Sequence, residues 1–160
     1  LSQDDIEYAD YIWQLYCSDN PIRLENQIAN NDFQFEYLSD ALKTHLKRFP
    51  TIKNGLNELE NHVLEIAVEK KPKSKAALMG ELVTNQGFYG FGDTQYERIV
   101  TTLKPLFNSF NPVKLSKKGM EVLHSETNYY SQIRDNQMYL GGSLKYNFLY
   151  NTETDRILKL

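Results

Sequence analysis

Residues 90–126 read GFGDTQYERIVTTLKPLFNSFNPVKLSKKGMEVLHSE, and the rest of the chain is organised around this stretch. Thr94 and Glu97 have the spacing of a capping box, in which their side chains satisfy the first amides of a helix. We therefore predict a helix over residues 94–104. Its apolar residues recur at the spacing of one buried helical face, and they are Tyr96, Ile99, Val100 and Leu103.

The second half of the stretch predicts a small hairpin and a last helix. Pro105 ends the preceding helix, because proline lacks the amide that would continue it. Residues 106–110 and 113–115 predict two short strands that turn at Asn111-Pro112, and Ser116 is a typical helix cap. A helix, a hairpin and a further helix form the back half of a winged helix-turn-helix.

The residues before this stretch predict the front half of the same motif. Asn57 and Glu60 have capping-box spacing at the start of a helix that ends near Glu69. A lysine-rich loop over residues 70–75 follows, and then a compact helix over residues 76–83. Helix, basic loop and helix are the opening of a helix-turn-helix. We therefore predict a winged-helix-like domain over residues 56–126.

The flanking segments complete an α+β fold that is mostly helical. Three amphipathic helices are predicted before residue 51. The apolar face of the first would carry Ile6, Ala9, Trp13, Tyr16 and Cys17, and Tyr8, Tyr11 and Ile12 would widen it. Strands over residues 139–150 and 156–160 predict a C-terminal β-hairpin, with a bulge or a close backbone approach at Gly141-Gly142. The prediction is an N-terminal three-helix subdomain (1–55), the winged-helix-like domain (56–126), and a C-terminal hairpin packed on that domain (127–160).

Composition limits the possible functions. The net charge of −3 over 160 residues argues against a protein that coats nucleic acid, because such binding neutralises many phosphates. The single cysteine, Cys17, cannot form an internal disulfide, and no apolar run approaches the length of a membrane span. We expect a cytoplasmic protein with no membrane partner.

The candidate nucleic-acid surface lies around the 94–104 helix. Gln95, Arg98 and Thr102 are left on its outer face and could reach base edges, while flanking lysines could hold phosphates. Those lysines are Lys71, Lys73, Lys114, Lys117 and Lys118. The alternatives are that these lysines are simply solvated, or that the winged helix docks a protein.

A second candidate surface is the aromatic first helix. Tyr8, Tyr11, Trp13 and Tyr16 could dock an upstream domain or a second subunit. The expected function is thus a non-enzymatic binding or regulatory module with possible DNA binding, and the alternative is a protein-interaction or dimerisation module.

Three other features predict no site. The loop 87–93 lacks the lysine of a phosphate-binding loop and places Asp93 where the phosphate would lie. His45, His62 and His124 fall on three different predicted helices, so no metal site is expected. No grouping of acid, base and nucleophile is evident, and no cofactor is expected. An enzymatic role would require residues from outside this chain.

Several pieces of the chain resemble, in order, the C-terminal half of an uncharacterised bacterial protein family of unknown function. The pieces are Phe35–Glu60, Gly92-Asp93-Thr94, Pro105-Leu106, Leu115-Ser116 with Gly119, Val122-Leu123 and Leu140-Gly141-Gly142. The resemblance implies that a separate N-terminal domain normally precedes this one. The family often carries tryptophan where this chain has Tyr139-Leu140 and Phe148–Tyr150. The resemblance supplies no catalytic residues.

Overall fold

The computed structural model describes residues 2–30 and 35–160, and these form two compact units. Unit 1 combines the chain up to Ile52 with Gln132–Leu160, and unit 2 is the continuous stretch Lys53–Ser131. The described residues contain eight α-helices and three two-stranded antiparallel sheets. The protein is therefore α+β and mostly helical, as predicted.

The elements follow one another in chain order, and short 3-10 turns lie at residues 87–89, 104–106 and 145–147. The helices are α1 (Gln3–Tyr16), α2 (Ile22–Asn30), α3 (Leu38–Leu46), α4 (Glu58–Glu69), α5 (Lys75–Thr84), α6 (Asp93–Thr102), α7 (Lys117–Leu123) and α8 (Tyr130–Ile133). The strands are β1 (Phe107–Phe110), β2 (Val113–Leu115), β3 (Tyr139–Leu140), β4 (Ser143–Leu144), β5 (Phe148–Asn151) and β6 (Arg156–Lys159).

Local sequence signals define the elements of unit 2. The Asn57 side chain accepts a hydrogen bond from the Glu60 amide, and the Glu60 carboxylate accepts one from the Asn57 amide, both at 2.8 Å. Ser116 caps α7 by accepting from the Gly119 amide at 3.0 Å. Both caps are as predicted, and so is the β1–β2 hairpin. The core is apolar and fully buried, with Val63, Leu64, Leu78, Leu82, Val100, Leu103, Leu106 and Val122 at its centre.

The core of unit 1 joins residues from both ends of the chain. Phe49, which follows α3, packs edge-on against Phe148 of β5 with ring centroids 5.8 Å apart. Tyr150 and Ile157 of the β5–β6 hairpin belong to the same buried cluster. A neighbouring cluster consists of Ile12 and Leu15 of α1, Leu24 of α2 and Leu42 of α3.

The C-terminal hairpin is confirmed, but its predicted first strand is interrupted. β5 pairs with β6 as expected, whereas residues 139–144 form a separate small hairpin, β3–β4, with Gly141-Gly142 at its turn. The Gly142 amide donates to the Tyr16 carbonyl oxygen at 3.0 Å, and a Cβ atom on Gly142 would clash with the Cys17 carbonyl. The close backbone approach predicted for this pair is therefore present, and it ends the strand.

The three predicted segments differ from the two observed units. The hairpin predicted to pack on residues 56–126 instead belongs to unit 1, because its buried face carries Phe148, Tyr150 and Ile157 into a cluster with Leu46 and Phe49. Residues 127–131 belong to unit 2, where the Tyr129 amide donates to the Asn54 carbonyl oxygen at 2.7 Å.

The predicted apolar face of α1 is correct at Ile12, Tyr8 and Tyr16, but it is wrong for the exposed residues Ile6, Ala9, Tyr11, Trp13 and Cys17. Its buried residues are Ile12 and Leu15, flanked by the half-buried Tyr8 and Tyr16. Ile6 is 55% exposed and Trp13 is 61% exposed, and Ala9 and Cys17 are exposed as well. The helix carries two apolar stripes. The stripe that starts at Tyr8 packs in the core of unit 1, and the stripe with Ile6 and Trp13 is exposed.

Candidate nucleic-acid interface

The loop between α4 and α5 lies beside strand β2. The Val113 amide donates a hydrogen bond to the Pro72 carbonyl oxygen at 3.0 Å. Pro72 is buried, whereas Lys71 and Lys73 on either side of it are exposed. Lys114, the residue after Val113, is exposed as well. One backbone contact therefore brings three of the predicted lysines to the same edge of unit 2.

The backbone of this loop includes a residue with a positive φ angle. Lys71 has a φ of 47°, a left-handed conformation that few non-glycine residues adopt. This conformation turns the chain sharply after α4 and lets Pro72 face inward. We call Lys71, Lys73 and Lys114 the lysine edge. Within residues 2–30 and 35–160, no carboxylate pairs with any of these three side chains.

Helix α6 begins differently from the sequence prediction. Its cap is Gly92, and the Gln95 side chain accepts a hydrogen bond from the Gly92 amide at 2.6 Å. The predicted box between Thr94 and Glu97 is therefore wrong, because the helix starts at Asp93. Gln95, which was expected to reach base edges, instead has its side-chain oxygen committed to the helix start.

The outer face of α6 is not basic. Arg98 is exposed, but Asp93 and Glu97 are exposed on the same short helix. The Lys75 ammonium contacts the Glu97 carboxylate and so joins the first residue of α5 to α6. Thr102 is half-buried, and its hydroxyl donates to the Arg98 carbonyl oxygen at 3.0 Å. Of the three residues predicted to contact bases, Arg98 alone is exposed with its polar side-chain atoms uncommitted in the described part of the chain.

The remaining predicted lysines, at the start of α7, have partners. The Lys117 ammonium lies 3.8 Å from the Glu121 carboxylate, one turn later on the same helix. The Lys118 ammonium lies 5.0 Å from the ring centroid of Tyr129 and is half-buried. These contacts make Lys117 and Lys118 weaker candidates for phosphate contact than the lysine edge.

The glycine-rich segment before α6 is held by one side chain that the sequence reasoning missed. The Gln86 amide donates to the carbonyl oxygens of Val83 at 3.0 Å and Phe91 at 2.9 Å, and its oxygen accepts from the Phe91 amide. Tyr89 donates to the Glu58 carboxylate at 2.6 Å. These bonds shape the segment, while Phe88 is 88% exposed and lies outside the core.

The aromatic residues of α1 divide between its two faces. The Tyr8 hydroxyl accepts from the Gln27 amide at 3.3 Å, and the Tyr16 ring lies 5.0 Å from that of His45, so both help to close unit 1. Tyr11 and Trp13 are exposed. The four residues predicted to form one interface are therefore not equivalent. The spacing of Tyr8, Ile12, Leu15 and Tyr16 is the sequence signal that could have revealed this division.

The histidines have separate environments. His45 is buried between the rings of Tyr16 and Phe49, and burial, helped by the nearby Arg48 charge, lowers its pKa from 6.5 to about 4. His62 lies 3.7 Å from the Glu65 carboxylate, and His124 is exposed. In the described ranges, no three side chains of His, Cys, Asp or Glu are grouped in a way that could hold a metal ion.

None of the helices in residues 2–30 and 35–160 has the length and apolarity needed to cross a membrane. Comparisons with protein families, with curated proteins and with solved structures found no match for this chain.

Proposed function

We propose that unit 2 is a winged-helix module that binds the phosphate backbone of double-stranded DNA through its lysine edge. The observation that carries the proposal is the hydrogen bond between Val113 and Pro72, which joins the loop that carries the exposed Lys71 and Lys73 to the strand that carries the exposed Lys114. Ammonium groups at such an edge would neutralise neighbouring phosphates and release condensed counterions, which favours binding at low salt.

The order of elements supports a winged helix. Three helices, α4 to α6, precede the β1–β2 hairpin, and the segment at Pro72 joins β2 by a backbone hydrogen bond. In this arrangement α6 takes the place of the recognition helix and the hairpin that of the wing. We infer a non-enzymatic binding module in which the hairpin and the α4–α5 loop hold the duplex backbone.

The charge distribution favours unit 2 as the DNA-binding part. Unit 2 contains nine Asp and Glu against ten Lys and Arg, a net charge of +1, whereas unit 1 contains twelve against eight, a net charge of −4. Asp93 and Glu97 would repel phosphates from α6 itself. Arg98 is therefore the α6 residue proposed to reach a base edge, where a guanidinium pairs well with guanine.

The proposal is tested with a fluorescently labelled duplex and the full 160-residue chain. We expect anisotropy to report binding that weakens as salt rises. Replacing Lys71, Lys73 and Lys114 together by glutamate should remove about three phosphate contacts and make the slope of log affinity against log salt shallower by about 0.9 for each.

The matched control replaces Lys43, Lys104 and Lys159 by glutamate, because these exposed lysines lie outside the lysine edge and give the same change in net charge. This control should keep most of the salt slope. Equal losses in the two triple variants, or no binding by the parent at low salt, would contradict the proposal. Arg98→Ala should alter the preference between duplex sequences while leaving most of the salt slope intact.

A further inference from the structure

The outward side of α1 carries an apolar surface that the core of unit 1 does not use. Ile6 and Trp13 are seven residues apart, which places them two turns apart on one side of the helix. Ile6 is 55% exposed and Trp13 is 61% exposed, and the Trp13 ring stacks on Tyr16 at 5.5 Å. Stacking on Tyr16 holds the exposed Trp13 ring in a defined position. Exposed aromatic residues of this kind are typical anchors of protein interfaces.

Carboxylates accompany this apolar surface. Asp10 lies between Ile6 and Trp13 along the helix, and Glu7 follows Ile6. The Gln14 amide donates to Asp10 at 2.6 Å, and the Gln3 amide donates to Glu7 at 2.9 Å. These bonds fix the carboxylates along the helix without neutralising them. We call Ile6, Glu7, Asp10 and Trp13 the α1 outer face.

The charged residues of helix α1 are all acidic. Helix α1 contains four Asp and Glu residues and no Lys or Arg. In the part of the chain that the structure describes, neither Glu7 nor Asp10 forms a salt bridge. The surface therefore combines an apolar anchor with unpaired negative charge, and its complement is a surface that combines apolar and positive side chains.

We propose that the α1 outer face binds a basic amphipathic helix of another protein, whose apolar side chains cover Ile6 and Trp13 while its lysines or arginines pair with Glu7 and Asp10. A second copy of this helix is a poor occupant, because two α1 outer faces would place the carboxylates of Glu7 and Asp10 against the same two carboxylates. An anionic membrane surface is disfavoured for the same reason. This proposal concerns unit 1 and is independent of DNA binding by unit 2.

The chain contains one tryptophan, so its fluorescence reports directly on this face. The probe is a synthetic peptide of Leu and Lys residues patterned as an amphipathic helix, titrated into the full chain at low and moderate salt. We expect a blue shift of the Trp13 emission, because the ring moves from water to an apolar contact, and weaker binding at higher salt. Two control peptides carry Glu in place of Lys, or Ser in place of Leu, and neither should bind.

Variants then locate the contact. With a labelled peptide, Trp13→Ala should weaken binding about tenfold, as expected for a central aromatic anchor. Phe88→Ala is the matched control, because Phe88 is an exposed aromatic residue of unit 2, and this substitution should have no effect. Glu7→Gln with Asp10→Asn should remove most of the salt dependence, whereas Glu36→Gln with Asp135→Asn, two exposed acids elsewhere, should keep it.

Each other outcome would overturn the proposal. The proposal would be contradicted if the Leu and Lys peptide gave no response at low salt. It would also be contradicted if the Glu-containing peptide bound equally well, because the acidic residues would then not select a basic partner. Light scattering that shows a dimer of the chain abolished by Trp13→Ala would assign the face to a second copy instead.

Discussion

Unit 1 draws its residues from both ends of the chain, whereas unit 2 is one continuous stretch. In unit 1, the buried Glu25 carboxylate of α2 accepts a hydrogen bond from the Ile157 amide of β6 at 2.6 Å, across 132 residues of sequence. In unit 2, the helices α4 and α7 are capped by residues three positions away. The two units therefore depend to different degrees on contacts between distant parts of the chain.

This difference shows where local sequence signals suffice. A helix cap and an apolar stripe identify a helix without knowledge of the residues against which it packs. Unit 2 consists mainly of elements with such local signals. In unit 1, the C-terminal strands pack with the N-terminal helices, so part of its stability rests on contacts between the two ends of the chain. Substitutions at those contacts should therefore destabilise the protein more than substitutions at exposed helical positions of unit 2.

The largest effect is expected at Gly142. A side chain there would clash with the carbonyl oxygen of Cys17, where two backbone segments touch. Gly142→Ala should lower the free energy of unfolding by about 3 kcal/mol or more, measured by urea denaturation. The control is Gly80→Ala in α5, where a Cβ atom would meet nothing within 4 Å. Because alanine favours a helix, that variant should gain about 0.5 kcal/mol. Equal losses in both variants would break the comparison.

A nearly equal effect is expected from pH. Burial lowers the pKa of His45 to about 4, so the folded protein resists protonation that the unfolded chain accepts below about 6.5. The stability from this group is complete above pH 6.5 and is lost as the pH falls towards 4, by about 3 kcal/mol. His45→Gln should lack this part of the pH dependence in denaturation experiments, whereas His124→Gln, at an exposed position, should keep it.

A smaller effect is expected at Glu25. Its carboxylate also lies 3.3 Å from the exposed Arg156 guanidinium. Glu25→Ala leaves the Ile157 amide without its acceptor and should cost about 2 kcal/mol. Glu25→Gln keeps an acceptor and should cost less, and Arg156→Ala removes only the exposed partner and should cost less than about 1 kcal/mol. If Arg156→Ala matched Glu25→Ala, the ion pair rather than the amide contact would hold β6 to α2.

The smallest effect is expected from removing the hydroxyl group of either of two buried tyrosines, Tyr96 and Tyr150. Tyr96 in unit 2 is fully buried, its hydroxyl has no hydrogen-bond partner among the described residues, and burial raises its pKa to about 12. In unit 1, the Tyr150 hydroxyl donates to Asp155 at 2.6 Å. Tyr96→Phe should therefore be neutral or stabilise by about 1 kcal/mol, whereas Tyr150→Phe should destabilise by about the same amount. Thermal unfolding of both variants measures the difference, and a loss in Tyr96→Phe would contradict it.

The candidate sites show the same division between local and tertiary information. The lysines at 71, 73 and 114 were predicted as a surface from sequence, and their common location depends on a contact across the chain between Pro72 and Val113. Gln95 and Thr102 were predicted as free side chains, but each bonds the backbone of its own helix. Side-chain bonds to neighbouring backbone groups depend on where a helix begins, and α6 begins two residues earlier than the predicted capping box requires.

The sequence by itself determined the approximate positions of helices α4 to α7, the Asn57 and Ser116 caps, the β1–β2 hairpin and the close approach at Gly141-Gly142, but not the start of α6 or the short helix α8. Each of these follows from residues a few positions apart, whose hydrogen bonds and conformational preferences act locally. The tertiary structure alone decided which stripe of α1 is buried and that the C-terminal hairpin packs with the N-terminal helices. Both choices depend on which apolar surfaces fit together in space, and spacing along the chain does not contain that information.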